Sequence, residues 1–213
     1  MVVETNTDAD RFRPVPNRPV ALYGLDIETD TSVDGLNPAL SPIVAAAVAT
    51  DAGDHVFQGP EPQILTQLDS LLARLAPGLV VTWNGAAFDL PFLAERARIV
   101  DAPIGLRLWT DPTLKSDPGA FRGRWYHHDH LDGYRVYRAD VGRSLGLSCG
   151  LKALSRLVGL EPIEVDRTAL HLLDEDSVRS YVASDARLAK TLVLRRWPLA
   201  GRAADGCHRP VAH

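Results

Sequence analysis

Four acids and one tyrosine have the types and spacing to do chemistry. Asp26 and Glu28 stand one residue apart at the end of an apolar run that begins at Val20. Asp89 closes the stretch Asn84-Gly85-Ala86-Ala87-Phe88-Asp89, and Asp185 falls four residues after Tyr181. Alternate side chains of a strand share a face, so Asp26 and Glu28 project together, about 7 Å apart along the chain. Carboxylates gathered in one cleft repel one another unless divalent cations bind between them. All-oxygen ligation selects hard ions such as Mg²⁺ or Mn²⁺.

Each residue also has a plainer reading. Asp26 and Glu28 could mark a solvated strand end, Asn84-Gly85 a simple turn, and Asp89 an N-cap, since Pro91 suits a first helical turn. Asp185 is harder to set aside. Val178, Tyr181, Val182, Asp185, Ala189 and Leu192 recur at spacings of three and four, which puts a carboxylate inside an apolar stripe. Such a group is costly there unless it is paired, hydrogen-bonded or bound to a cation. Tyr181 lies one turn earlier on the same face.

The elements that must position these residues follow from periodicity. Val20 to Asp30, Pro42 to Thr50 and His55 to Phe57 read as three antiparallel strands, with a turn at Asp51-Ala52-Gly53-Asp54. Leucines and Ile64 at helical spacing predict a helix over 61–76, ended by Pro77-Gly78. A short buried strand over 79–83 and a helix over 90–100 come next. Residues 131–141 resume regular structure, 148–158 form an amphipathic helix, and 176–195 form the last long one. This order predicts an α/β fold with a mixed central sheet: three antiparallel strands, then parallel ones, with helices on both faces. Residues 1–18 and 196–213 read as poorly ordered tails around a domain over 19–195, in which 101–129 is a loop or an inserted hairpin.

A chain of 213 residues with 46% hydrophobic and 23% charged content suits one soluble domain. Cys149 and Cys207 lack metal-ligand spacing, the first residues lack a signal peptide's pattern, and no apolar run approaches the ~18 residues of a membrane span. A cytoplasmic protein without membrane contact is expected. The net charge of −4 hides an asymmetry: residues 1–95 carry 4 basic and 13 acidic groups, residues 96–156 carry 11 and 6. A basic middle third would guide a polyanion to an acidic centre, although chance segregation accounts for it equally well. Trp109, Trp125, Tyr126, Tyr134 and Tyr137 interleave there with Arg107, Arg122, Arg124, Arg135 and Arg138, either as stacking partners for single-stranded bases or as ordinary packing. His127-His128-Asp129-His130 lacks the Cys or carboxylate spacing of a zinc site and reads as a solvated loop.

Three motifs occur in order: Asp26-Ile27-Glu28, Asn84 to Asp89 with Phe88-Asp89 at its end, and Tyr181-Val182-Ala183-Ser184-Asp185. Together they resemble the DEDD superfamily of 3′-to-5′ exonucleases of the ribonuclease H-like fold. The tyrosine variant in the proofreading domain of family B DNA polymerases is the nearest likeness, and it covers roughly residues 19–195. The resemblance implies that Asp26, Glu28, Asp89 and Asp185 hold two Mg²⁺ or Mn²⁺ ions and that Tyr181 orients the attacking water. It also implies that Asn84, Phe88 and the backbone around Ile27 and Thr29 receive the terminal nucleotides. The expected activity is stepwise hydrolysis of single-stranded DNA from the 3′ end to 5′ mononucleotides, in a repair setting. An RNA 3′-end exonuclease and a non-catalytic nucleic-acid-binding module on the same fold are the alternatives.

Overall fold

β1 (Ala21–Thr29) owes its place at the centre of the sheet to a sequence that is apolar on both faces. Tyr23, Leu25 and Ile27 enter one layer of core, and Leu22 enters the other. The structure, a computed structural model, describes residues 21–110 and 121–197. The expected tail over 1–18 lies outside the described residues, as does 198–213.

β2 (Ile43–Ala49) and β3 (Asp54–Gln58) continue antiparallel from β1. After α1 (Glu61–Arg74), β4 (Gly78–Thr82) returns parallel to β1. α2 (Asp89–Ile99) then leads to β5 (Leu106–Thr110) and β6 (Phe121–Trp125), an antiparallel pair within the 101–129 stretch. β7 (His128–Asp132) lies parallel to β4 and antiparallel to β6. The seven-stranded sheet therefore runs β3-β2-β1-β4-β7-β6-β5, mixed as its sequence pattern predicts, with two further antiparallel strands at the far edge.

Helices cover both faces. Ile64, Leu65, Leu68 and Leu72 of α1, with Leu90 and Leu93 of α2, pack on the face of Tyr23, Leu25 and Ile27. The opposite face receives α6 (Glu175–Arg195), whose Val178, Val182 and Ala186 meet Ala45, Ala47 and Ala49 of β2. Small residues let this helix settle deeply. A Cβ added at Gly24 would stand 2.0 Å from the Ala186 carbonyl oxygen, so glycine is required where α6 crosses β1. Trp197, expected in a C-terminal tail, is buried with Leu22, Leu79 and Val193.

The stretch over 127–130 departs from expectation. His127 stays in an exposed turn, but 128–130 are strand rather than solvated loop: His128 is fully buried, its Nε2 paired with the Leu72 carbonyl at 2.8 Å, and His130 Nε2 pairs with Thr82 Oγ1 at 2.8 Å. Between β7 and α6 come α3 (Gly133–Tyr137), a π-helical turn at Arg138–Gly142, α4 (Arg143–Leu145), α5 (Leu151–Leu157) and a 3₁₀ helix at Arg167–Leu172. No described helix is long and apolar enough to cross a membrane.

Candidate active site

Where β1 runs past its last partner on β4, its carboxyl end is open on one side. Gly24, Asp26 and Glu28 share the face on which α6 lies, and the contact at Gly24 brings the helix down beside them. The result is a cluster of three acids: Asp26, Glu28 and Asp185 each offer a carboxylate oxygen within 4.8 Å of the others. Asp89 stands outside that group. Its charge still raises the pKa of both Asp26 and Glu28, and it lines the same cleft as Asp26 and Asp185.

The cleft, of about 660 Å³, is walled by Asp26, Ile27, Asn84, Phe88, Asp89, Tyr181 and Asp185 among others. Two expected site residues do not line it. Glu28 is a buried member of the cluster, and Thr29 turns its hydroxyl to the Gly35 carbonyl at 2.6 Å.

Asn84 adopts a positive φ of 69°, a conformation asparagine tolerates better than most residues. The turn is held from β7, where the Asp132 carboxylate accepts from the amides of Asn84 (2.9 Å), Ala86 (3.2 Å) and Tyr134 (3.0 Å). Asp89 is the first residue of α2 and makes no capping bond; the cap position belongs to Phe88. The expected capping role therefore falls away, and the Asp89 carboxylate instead takes a hydrogen bond from the Ile27 amide.

The electrostatics are those of acids crowded without enough counter-charge. Burial first, then the charges of Glu28, Asp185 and Asp89, pushes the Asp26 carboxyl well above the usual range. Burial carries Glu28 up to about 8 against the opposing pull of Arg167. Asp89 rises to about 7 for the same primary reason, although its backbone hydrogen bonds hold it down. Burial also raises Asp185, opposed by Lys152, whose ammonium bonds its carboxylate, and by the Tyr181 hydroxyl. Tyr181 is itself raised by burial and by Glu28 and Asp185, so it keeps its proton. An all-carboxylate set this compact, its acids pushed upward for want of positive charge, fits divalent cations.

Lys152 and Arg167 are cleft residues that sequence reasoning missed. The Lys152 ammonium also lies 4.4 Å from the Tyr181 ring centroid. Arg167 opens the 3₁₀ helix, and its guanidinium charge is favoured by the carboxylates of Glu28, Asp26 and Asp185. The excess of basic residues over 96–156 was a signal for Lys152; none pointed to Arg167.

Comparison with known proteins adds a second line. No protein-family model matches the chain. The chain is 30% identical over 130 residues to a DNA polymerase epsilon catalytic subunit of Arabidopsis thaliana, covering 59% of this chain and 6% of that protein. It is 31% identical over 136 residues to the DNA polymerase epsilon catalytic subunit of Dictyostelium discoideum, covering 62% of this chain and 5% of that one. DNA polymerase 1 of Aeropyrum pernix is 26% identical over 206 residues, or 84% of this chain and 21% of the polymerase. The solved family B DNA polymerase of Pyrobaculum calidifontis superposes with a TM-score of 0.66 at 16% identity, over 85% of this chain and 25% of that one. The chain is similar to family B DNA polymerases. The likeness drawn from three short motifs thus extends to sequence and fold, while the chain spans only a small part of each family B relative.

Proposed function

We propose that this chain is a metal-dependent 3′-to-5′ exonuclease that hydrolyses single-stranded DNA ends to 5′ mononucleotides, with a role in repair. The observation that carries the reading is the acid cluster of Asp26, Glu28 and Asp185, with Asp89 across the same cleft, in a chain similar to family B DNA polymerases. Asp26, Glu28, Asp89 and Asp185 would hold two Mg²⁺ or Mn²⁺ ions, supplying an activated water and stabilisation of charge at phosphorus and at the leaving 3′ oxygen.

The remaining work belongs to side chains of the cleft. Tyr181 keeps its proton and orients a water through its hydroxyl. Its position is fixed from two sides, by the bond to Asp185 and by Lys152 over its ring. Asn84 and Phe88 line the wall that receives the terminal nucleotide, on a turn that Asp132 keeps in place. Arg167 lines the same cleft, where a guanidinium would meet phosphate oxygens in planar, paired fashion.

The test is a ladder assay in Mg²⁺ on a 5′-labelled single strand, beside a circular strand of the same composition and an RNA strand of the same sequence. Stepwise shortening of the linear DNA, with the circle intact and with activity lost in Asp185→Ala, is expected. Cleavage of the circle, or label released first as a mononucleotide, overturns the assignment.

A further inference from the structure

The β5–β6 hairpin has two unlike faces. Leu106, Leu108, Phe121, Gly123 and Trp125 alternate with Arg107, Trp109, Arg122 and Arg124, and the registry sets Arg107 opposite Arg124 and Trp109 opposite Arg122. Leu106, Leu108 and Trp125 belong to the core under α1 and α2. The other four therefore project to the opposite side.

That side is the one that carries the acids. Arg124 pairs in register with Asp129, Asp129 with Leu79, and Leu79 with Leu22, which shares its face of β1 with Gly24, Asp26 and Glu28. The acid-bearing face thus continues past β7 into a strip of three arginines and a tryptophan. β5 runs parallel to β1 by way of β6, β7 and β4, so the Trp109–Arg122 pair lies toward the carboxyl end where the cleft opens. A backbone bond ties the two regions: the Phe121 amide donates to Ala86, in the turn beside the cleft, at 2.8 Å.

Like charges directly opposite on paired strands are destabilising. Arg124 is compensated by Asp129 at 2.8 Å, while Arg107 is exposed and, among the described residues, in no ion pair. Trp109 keeps 41% of its surface exposed beside these arginines. Cations in a row next to an exposed aromatic ring match a chain of phosphates with unpaired bases.

We propose that this strip docks the phosphodiester backbone and bases of a single-stranded nucleic acid upstream of the 3′ end that enters the cleft. The proposal rests on the exonuclease reading for the direction of the strand, and its test does not require hydrolysis. Fluorescence anisotropy in EDTA would follow a labelled oligothymidylate of about 20 nucleotides and one of about 4, spanning the ~4–16 nucleotides that a small single-strand-binding surface covers. The double variant Arg107→Gln with Trp109→Ala should weaken binding of the long strand at least tenfold and leave the short one little changed. Arg107→Gln alone should lower the slope of log affinity against log salt by about 0.7, the value for one single-strand phosphate contact. Arg74→Gln, an exposed arginine on α1 against the other face, should alter neither. Unchanged long-strand affinity in Arg107→Gln, or an equal loss in Arg74→Gln, overturns the strip. Absent hydrolysis by the wild type would instead overturn the exonuclease reading, with the anisotropy result standing on its own.

Discussion

Replacing Glu28 by Gln should make the metal-free protein more stable while removing its activity. Glu28 titrates at about 8 in the folded chain against 4.5 when free. A folded pKa above the unfolded one means that the group supports folding below 4.5 and that this support is lost as the pH rises toward 8. At pH 7 the folded chain keeps the proton that the unfolded chain releases, at a cost of about 3 kcal/mol at 1.36 kcal/mol per unit. The proton is shared with Asp26 and Asp185, so the cost belongs to the cluster, and a neutral isostere at one member relieves most of it. For a domain of this size about 3 kcal/mol corresponds to a melting-temperature rise of roughly 6–12 °C. Circular dichroism melts in EDTA at pH 7 should show that rise in Glu28→Gln. Excess Mg²⁺ should then stabilise the wild type by about 2.7 kcal/mol at a hundredfold over its dissociation constant, and the variant by much less. A lower melting temperature for Glu28→Gln in EDTA, or equal gains from Mg²⁺, would refute the reasoning.

Other perturbations separate the remaining parts. Tyr181→Phe should slow turnover by ~10- to 10³-fold with Mn²⁺ affinity unchanged by calorimetry, because only a positioning hydroxyl is lost. Gly24→Ala should cost at least ~3 kcal/mol in guanidinium unfolding and abolish hydrolysis, since its Cβ would meet the Ala186 carbonyl at 2.0 Å; a melting temperature within about 2 °C of wild type would contradict the packing. His130, enclosed among neighbours, titrates at about 3 against 6.5 when free, so its contribution to stability is complete above 6.5 and falls by about 1.4 kcal/mol per unit toward 3. Urea midpoints of His130→Gln should therefore decline less steeply than wild type between those limits.

How much was legible depended on whether a residue's neighbours lie near it in sequence. Asp185 announced itself because a helical stripe is a local pattern, and α6 does bury Val178, Tyr181, Val182, Asp185, Ala189 and Leu192. The three antiparallel strands were visible for the same reason. β7 was not, because Leu131 is its only apolar residue and its histidines find their partners at Leu72 and Thr82, far away in the chain. β5 and β6 were legible only as one of two readings, a loop or an inserted hairpin, because each is only five residues long in a stretch rich in Gly and Pro. Arg167 had no local signature at all; only the return of the chain across the cleft makes it a neighbour of Glu28.

The passage of α6 over Gly24 also bears on how the molecule comes into being. Asp26 and Glu28 leave the ribosome before Asp185, which follows on α6 more than 150 residues later, so the two halves of the cluster meet across a long stretch of chain. Contacts so distant in sequence form late and slowly. During synthesis the nascent chain therefore carries Asp26 and Glu28 without their partner, and an assembled centre comes into existence only when α6 docks.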